Sequence, residues 1–357
     1  MGNWEENIRR VTPYVPGEQP KRKDIIKLNT NENPYPPAPG VEEALRSFDV
    51  KELRKYPDPK ITELVDAIAS YYEIAPEKVF VGIGSDDVLA MSFLTFFNSK
   101  KPILFPDITY SFYDVWADEF RIPYETIPLT DDFHVNIADY QKECGGIVLP
   151  NPNAPTGVTE GRDAYEQLVK DHPDCIVIID EAHVDFGADS MLPLIDKYDN
   201  LLVVQTFSKS RAMAGSRIGF AMGNPRLISY LSDVKYSFNS YTMDAITIRL
   251  GAAAISDKAY FEEGLRKLMA TREWTKKELR RLGFTFGDSK TNFIFAKHEK
   301  ISAKELFMDL REEGIFVRYF EKPRISDYLR ITIGTDEEMK RFIEFTEGWL
   351  MKKGCLS

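Results

Sequence analysis

Lys209 is the residue in this chain best placed to form a covalent bond. It follows the apolar run Leu201-Leu202-Val203-Val204 and the hydroxyl residues Thr206 and Ser208. That pattern predicts a buried strand delivering the lysine into a loop before a second short strand at 218–222. Ligands of α/β sheets bind at the carboxyl ends of such strands. Desolvation there lowers a lysine's pKa toward a nucleophilic amine, and Schiff-base formation is the chemistry that exploits this. Ser208 and Arg217 can converge on one anion beside it. Asp180 ends a second continuous apolar run, 175–179. A carboxylate buried there without a partner is costly, so it must find a cation.

Weaker signals surround these two. Val79 to Asp87 reads strand, glycine turn, helix start, with Gly82 and Gly84 followed by Ser85 and Asp86. Glycines admit an anion close to the backbone, and helix-terminal amides hold it. Asp87 stands where a dinucleotide fingerprint needs its third glycine, which argues against a nicotinamide oxidoreductase. Tyr110 follows Pro106-Asp107 at a turn, where a flat ring can stack on a flat ligand. Arg330 lies in the alternating run Tyr328-Leu329-Arg330-Ile331-Thr332 and shares a face with Tyr328 and Thr332. Its forked guanidinium suits a carboxylate or phosphate.

The elements that must hold these residues read as an α/β protein. Strands are expected near 79–83, 102–105, 124–129, 146–149, 175–180, 201–204 and 218–222. Helices are expected at 41–48, 61–72, 84–97, after Tyr110, weakly at 136–142, then at 225–234, 242–254 and 257–282. An α+β region follows, with strands from 292, near 314–318 and at 328–335, and helices at 303–313 and 336–351. The first forty residues, with Pro13, Pro16, Pro20, Pro34, Pro36, Pro37 and Pro39, form an irregular arm.

Taken in order, these motifs resemble those of the pyridoxal-phosphate-dependent class I and II aminotransferases, most of all the histidinol-phosphate aminotransferases. The resemblance rests on Thr206-x-Ser208-Lys209, Ala214-Gly215-x-Arg217-x-Gly219-Phe220, Asp180-Glu181-Ala182-His183 and Asn153-Ala154-Pro155-Thr156-Gly157. Tyr56-Pro57-Asp58 and the arm motifs around Tyr14 and Asn33 extend it. It implies fold type I: a large domain with a mainly parallel, seven-stranded type of sheet between helices, and a small α+β domain. The expected division is an arm at 1–45, a cofactor-binding domain at 46–265 and a small domain at 266–357. Lys209 would carry pyridoxal 5'-phosphate and shuttle the proton, while Asp180 would keep the ring nitrogen charged. Ser85, Asp86, Ser208 and Arg217 would hold the cofactor phosphate, Thr206 would also contact the cofactor, and Tyr110 would stack on the ring.

The family usually has tyrosine where His183 stands and a second asparagine where Ala154 stands. The phenolic-oxygen contacts therefore pass to His183 and Asn153, a structural turn being the rival reading of the asparagine segment. Tyr56 would reach the cofactor of the other subunit of a homodimer, or else pack as a turn tyrosine on its own domain. Tyr14, Asn33, Arg318 and Arg330 would face the substrates, a small-molecule amino donor and a 2-oxo acid, expected to be 2-oxoglutarate. The donor stays open between histidinol phosphate and aromatic amino acids. A decarboxylase of a phosphorylated amino acid uses the same lysine and aspartate.

The composition narrows the classes. A chain of 357 residues is expected to form two domains. A net charge of -10 and the absence of a basic run argue against nucleic acid and against a pyridoxal-binding transcription regulator. No apolar run approaches membrane length, and Glu5 and Glu6 stand where a signal peptide carries bases. The three cysteines, Cys144, Cys175 and Cys355, lack metal-ligand spacing and suit a reducing cytoplasm. Four histidines without a cluster argue against a metal site.

Overall fold

The structure is a computed structural model that describes residues 3–21 and 24–356. Met1 and Gly2, part of the leader reading, lie outside the described residues, as do Arg22, Lys23 and Ser357.

The chain opens with a short strand, β1 (Ile26–Lys27), and helices α1 (Pro39–Arg46) and α2 (Thr62–Tyr72). The main sheet then begins with β2 (Val79–Ile83), which runs directly into α3 (Gly84–Phe96). There follow β3 (Ile103–Pro106), α4 (Tyr113–Phe120), β4 (Tyr124–Ile127), β5 (Gly146–Pro150), α5 (Arg162–Asp171) and β6 (Val177–Asp180). After β7 (Leu201–Thr206) and β8 (Ile218–Gly223) come helices α6 (Pro225–Phe238), α7 (Ala245–Ser256) and α8 (Lys258–Arg281). The remainder is β9 (Thr285–Phe286), β10 (Phe293–Lys297), α9 (Ala303–Glu313), β11 (Ile315–Phe316), β12 (Arg318–Tyr319), β13 (Tyr328–Thr332) and α10 (Asp336–Lys352).

Seven strands form one sheet in the order β2-β8-β7-β6-β5-β3-β4. It is parallel except for β8, which runs antiparallel to both β2 and β7. The reversal follows from the connection: β7 reaches β8 through the loop 207–217, without the helix a parallel crossover needs. Burial on both faces makes the central strands continuously apolar. Alternate residues divide between two cores: Val177, Ile179, Leu201 and Val203 on one face, Ile178, Leu202 and Val204 on the other. Leu64 and Ile68 of α2, Leu168 of α5 and Ile248 of α7 cover the first face. Phe93 of α3, Trp116 of α4 and Leu231 of α6 cover the second.

A four-stranded antiparallel sheet, β12-β13-β10-β9, carries the C-terminal part. The arm meets the C-terminal part through a separate two-stranded parallel sheet, β1-β11. Helix α8 spans two cores: Tyr260 packs against the first-face core, Leu268 and Leu279 lie in the C-terminal one. Asp257 caps its start and Arg280 and Arg281 occupy its last turn, as the helix dipole favours. A capping box of Thr335 and Glu338 starts α10. No described helix is long and apolar enough to cross a membrane.

Several elements differ from the sequence reading. Helix α1 starts two residues early, because Pro39 fits the first helical turn. Residues 136–142 form only a single 3-10 turn, Ile137–Tyr140, begun by Asn136 accepting from the Ala138 amide. Helix α5 was not anticipated; Tyr165, Leu168 and Val169 bury one of its faces within an otherwise polar stretch.

Candidate active site

Asp180 is the last residue of β6 and pairs with Val204 of β7, so the strand carrying the acid lies beside the one leading to the lysine. Both open into a cavity of about 400 Å³, within the range of small-ligand sites. Of the residues expected at the site, Tyr14, Ser85, Asp86, Tyr110, Asp180, His183, Thr206, Ser208, Lys209, Arg217, Arg318 and Arg330 line it.

Lys209 is half-buried and its Nζ donates to the Thr30 carbonyl at 3.2 Å. Burial lowers its pKa to about 8, helped by Arg330 and opposed by Asp86 and Glu32. The Asp180 carboxylate accepts from the Tyr113 hydroxyl at 2.7 Å and from the Ala182 amide at 3.2 Å. No cation is paired with it among the described residues, and burial pushes its pKa up to about 6. His183 is buried, edge-on to Phe293, and its Nδ1 has no partner. Burial, with Lys209 and Arg330 nearby, holds its pKa well below the usual imidazole range, so the ring is neutral.

Opposite lies the turn into α3. Arg217 donates to Asp86 at 2.9 Å, and Tyr110 donates to the other oxygen of Asp86 at 2.7 Å. Two glycines make the approach possible. A Cβ on Gly219 would lie 2.2 Å from the Gly84 and Ser85 backbone, and one on Gly84 would lie 2.5 Å from the Arg217 guanidinium. Arg217 itself has φ +53°, a conformation unfavourable for a non-glycine residue. Thr206 ties the lysine loop together, accepting from the Ser208 amide at 3.1 Å and donating to the Ile218 carbonyl at 3.0 Å, with Ser208 Oγ also 3.0 Å from its hydroxyl.

Arg318 and Arg330 sit directly across from one another in the β12–β13 register. Like charges placed so repel. No carboxylate pairs with either among the described residues; Arg330 donates to the Asn29 carbonyl at 3.0 Å, and Arg318 makes only a 3.5 Å contact with the Val15 carbonyl. Burial and Arg318 lower the Arg330 pKa to about 10.

Three expected residues do not line the cavity. Asn153 gives both amide hydrogens away, to the Ile108 carbonyl and Thr156 Oγ1 at 2.9 Å each, and Ala154 takes the wall position. Asn33 points at backbone instead of substrate: its amide donates to the Lys209 and Ser210 carbonyls at 3.2 and 3.1 Å, bracing the lysine loop. Tyr56 is 82% exposed and packs tilted against Tyr241, outside this chain's own cavity. Conversely, Tyr113, which the sequence pattern does not single out, holds Asp180 through its hydroxyl. Only its place three residues after Tyr110 could have signalled this. Glu32, ion-paired with Lys27, and Thr30 also reach the cavity from the arm.

The residues present fit pyridoxal 5'-phosphate. A buried acid without a cation, an unpartnered imidazole nitrogen and a glycine-lined helix start beside an arginine match its ring nitrogen, phenolic oxygen and phosphate respectively. Fold and site define a pyridoxal-phosphate-dependent enzyme, and a profile of aminotransferase class I and II matches residues 23–345. The histidinol-phosphate aminotransferase of Lactococcus lactis subsp. cremoris (strain MG1363) is 50% identical over 98% of this chain and 99% of its own. That of Clostridium acetobutylicum is 51% identical over 96% of this chain and 97% of its own. The chain belongs to the histidinol-phosphate aminotransferase family within the class I and II aminotransferases, and it is a pyridoxal-phosphate-dependent transaminase. A solved histidinol-phosphate aminotransferase of Sinorhizobium meliloti, in complex with pyridoxal-5'-phosphate, superposes with TM-score 0.82 at 23% identity, over 89% of each chain. One from Clostridium acetobutylicum gives 0.83 at 22% identity, over 91% of this chain and 98% of its own. At that identity the superpositions establish the fold, fold type I.

Proposed function

We propose that this enzyme moves the amino group of histidinol phosphate to 2-oxoglutarate in a ping-pong cycle. The observation that carries the choice of donor is the facing pair Arg318 and Arg330 without a carboxylate between them. Two opposed guanidinium groups call for an anion to bridge them, and a phosphate or a carboxylate supplies matching oxygens. Histidinol phosphate has no α-carboxylate, so its phosphate takes this place in one half-reaction, and a 2-oxoglutarate carboxylate takes it in the other.

Pyridoxal phosphate, when bound, supplies the electron sink that makes the donor's amine-bearing carbon acidic. Ser85, Asp86, Ser208 and Arg217 would hold its phosphate, Tyr110 would stack on its ring, and Asp180 would keep its ring nitrogen charged. Tyr113 fixes the carboxylate that does so. His183 would donate to the phenolic oxygen, with Ala154 leaving that work to the histidine alone. Lys209 would carry the cofactor, and its Nζ, when free, would take the proton from the donor's amine-bearing carbon and give it back on the far side of the amine nitrogen. Thr30 and Asn33 position the lysine from the arm side.

We further propose a division into an arm at 1–45, a cofactor domain at 46–265 and a small domain at 266–357. The passage of α8 from one core to another supports the second boundary. A homodimer, with Tyr56 reaching the partner's cofactor phosphate, is supported by the exposure of Tyr56 and of Tyr241 packed against it. The cytoplasm is the compartment we propose, in keeping with three free thiols. The test is turnover with 2-oxoglutarate as acceptor, comparing histidinol phosphate, histidinol, phenylalanine and tyrosine. Preference for the phosphorylated donor is expected; preference for the free aromatic acids would replace this reading, and carbon dioxide release would point to decarboxylation.

A further inference from the structure

Cys144 and Cys175 are far apart in sequence but meet at the end of the main sheet away from the cavity. Each stands two residues before a strand, Cys144 before β5 and Cys175 before β6, and these strands are parallel neighbours in the register Ile147 with Val177. Their sulfurs lie 3.6 Å apart. A disulfide needs about 2.05 Å, so closing the gap takes about 1.5 Å shared between two chain ends. Each cysteine lies outside a regular strand, where backbone can yield by that amount. Asp180 is five residues beyond Cys175, roughly 16 Å along an extended strand. Neither sulfur therefore takes part in the site already described.

The surroundings divide the labour between the two thiols. Cys144 is the more buried of the pair. Its thiol is held below the usual range by the hydrogen bond from Cys175, the Gly146 amide, His172 and Lys101, against burial. Giving that hydrogen bond, together with burial, pushes the Cys175 thiol up. A thiolate beside a thiol is the arrangement that attack followed by resolution requires.

We propose that Cys144 and Cys175 form a peroxide-sensitive dithiol that closes reversibly to a disulfide between the amino ends of β5 and β6. The Cys144 sulfur attacks one oxygen of hydrogen peroxide; the O–O bond breaks, water leaves, and a sulfenic acid remains. The Cys175 sulfur then attacks that sulfur, the S–S bond forms, the S–O bond breaks and a second water leaves. Two electrons pass from two thiols to one peroxide, and a small dithiol returns them.

The full chain, loaded with pyridoxal phosphate, is exposed to hydrogen peroxide, and its thiols are counted and mapped by mass spectrometry without reduction. The expected result is loss of two of the three thiols, a linked pair of peptides containing Cys144 and Cys175, and recovery of both thiols with dithiothreitol. In Cys175→Ser, Cys144 is expected to stop at a sulfenic acid that dimedone traps. Cys355→Ser serves as the control and should leave the linked peptide unchanged. Oxidation of Cys355 while Cys144 and Cys175 stay free would overturn the proposal, as would links only between chains or sulfinic acid with no linked peptide.

Discussion

At the scale of single residues, the site is a set of groups made uncomfortable by burial and relieved by a ligand. Lys209, with its pKa brought down to about 8, is neutral in a substantial fraction near neutral pH, whereas an ordinary lysine is not. The neutral amine is the form that captures a carbonyl. The rate at which the cofactor-free chain takes up pyridoxal phosphate should therefore rise with pH, reach half its maximum at about 8 and level off about one unit higher; a rate still climbing steeply toward pH 10 would mean that the lysine is solvated. Tyr113 makes a second prediction. Its hydroxyl hydrogen bond favours the charged form of Asp180, so Tyr113→Phe should raise the carboxyl pKa above its value in the parent. Asp180 is needed ionised, and the acid limb of the kcat profile should move to higher pH by about one unit, the effect of one charge-assisted hydrogen bond. An unmoved limb with unchanged kcat would reduce Tyr113 to packing.

At the scale of elements, what matters is which strand ends meet and in which register. The β12–β13 pairing puts Arg318 against Arg330, and this geometry, more than either residue alone, makes the anion site. Arg318→Ala should raise KM for histidinol phosphate by about ten- to a hundredfold, the worth of a charge-assisted contact, with a much smaller change in kcat. An equal loss with a donor lacking phosphate would contradict that role. The chemistry-bearing strand ends were legible in the sequence because a continuous apolar run broken by Lys or Asp is a rare pattern with one physical resolution. Helix α5 was not, since only one narrow face of it is apolar. The arginine pair was readable only as two separate residues, because register across a sheet depends on loop 320–327 and not on local pattern. The hydrogen bond from Tyr113 to Asp180 was hidden for the same kind of reason: a buried tyrosine in a helix looks like core until the opposing strand is in place. Asn153 and Asn33 carried the right residue type for polar contacts, but which way an amide turns is decided by its neighbours. The acceptors around them, Ile108 and Thr156 for one and the lysine loop for the other, are set by tertiary structure.

At the scale of the whole molecule, the cavity is walled by the main sheet, the arm and the C-terminal sheet together, so no single segment makes the site. Tyr56 lies exposed outside its own cavity, and the dimer proposed above gives it a function. The chain should therefore sediment at twice its 41.0 kDa at micromolar concentration, and Tyr56→Phe should weaken cofactor retention without dissociating the dimer; a monomer with full activity would refute both statements. The central claim, that Lys209 binds pyridoxal phosphate covalently and moves the proton, has its most direct measurement in the visible spectrum of the purified enzyme before and after Lys209→Ala. The account predicts an absorbance band near the cofactor's visible maximum that borohydride abolishes by fixing the cofactor on the Lys209 peptide, and loss of both band and turnover in the variant. A variant that keeps the parent's band and turnover, or a cofactor fixed on another lysine, would contradict it.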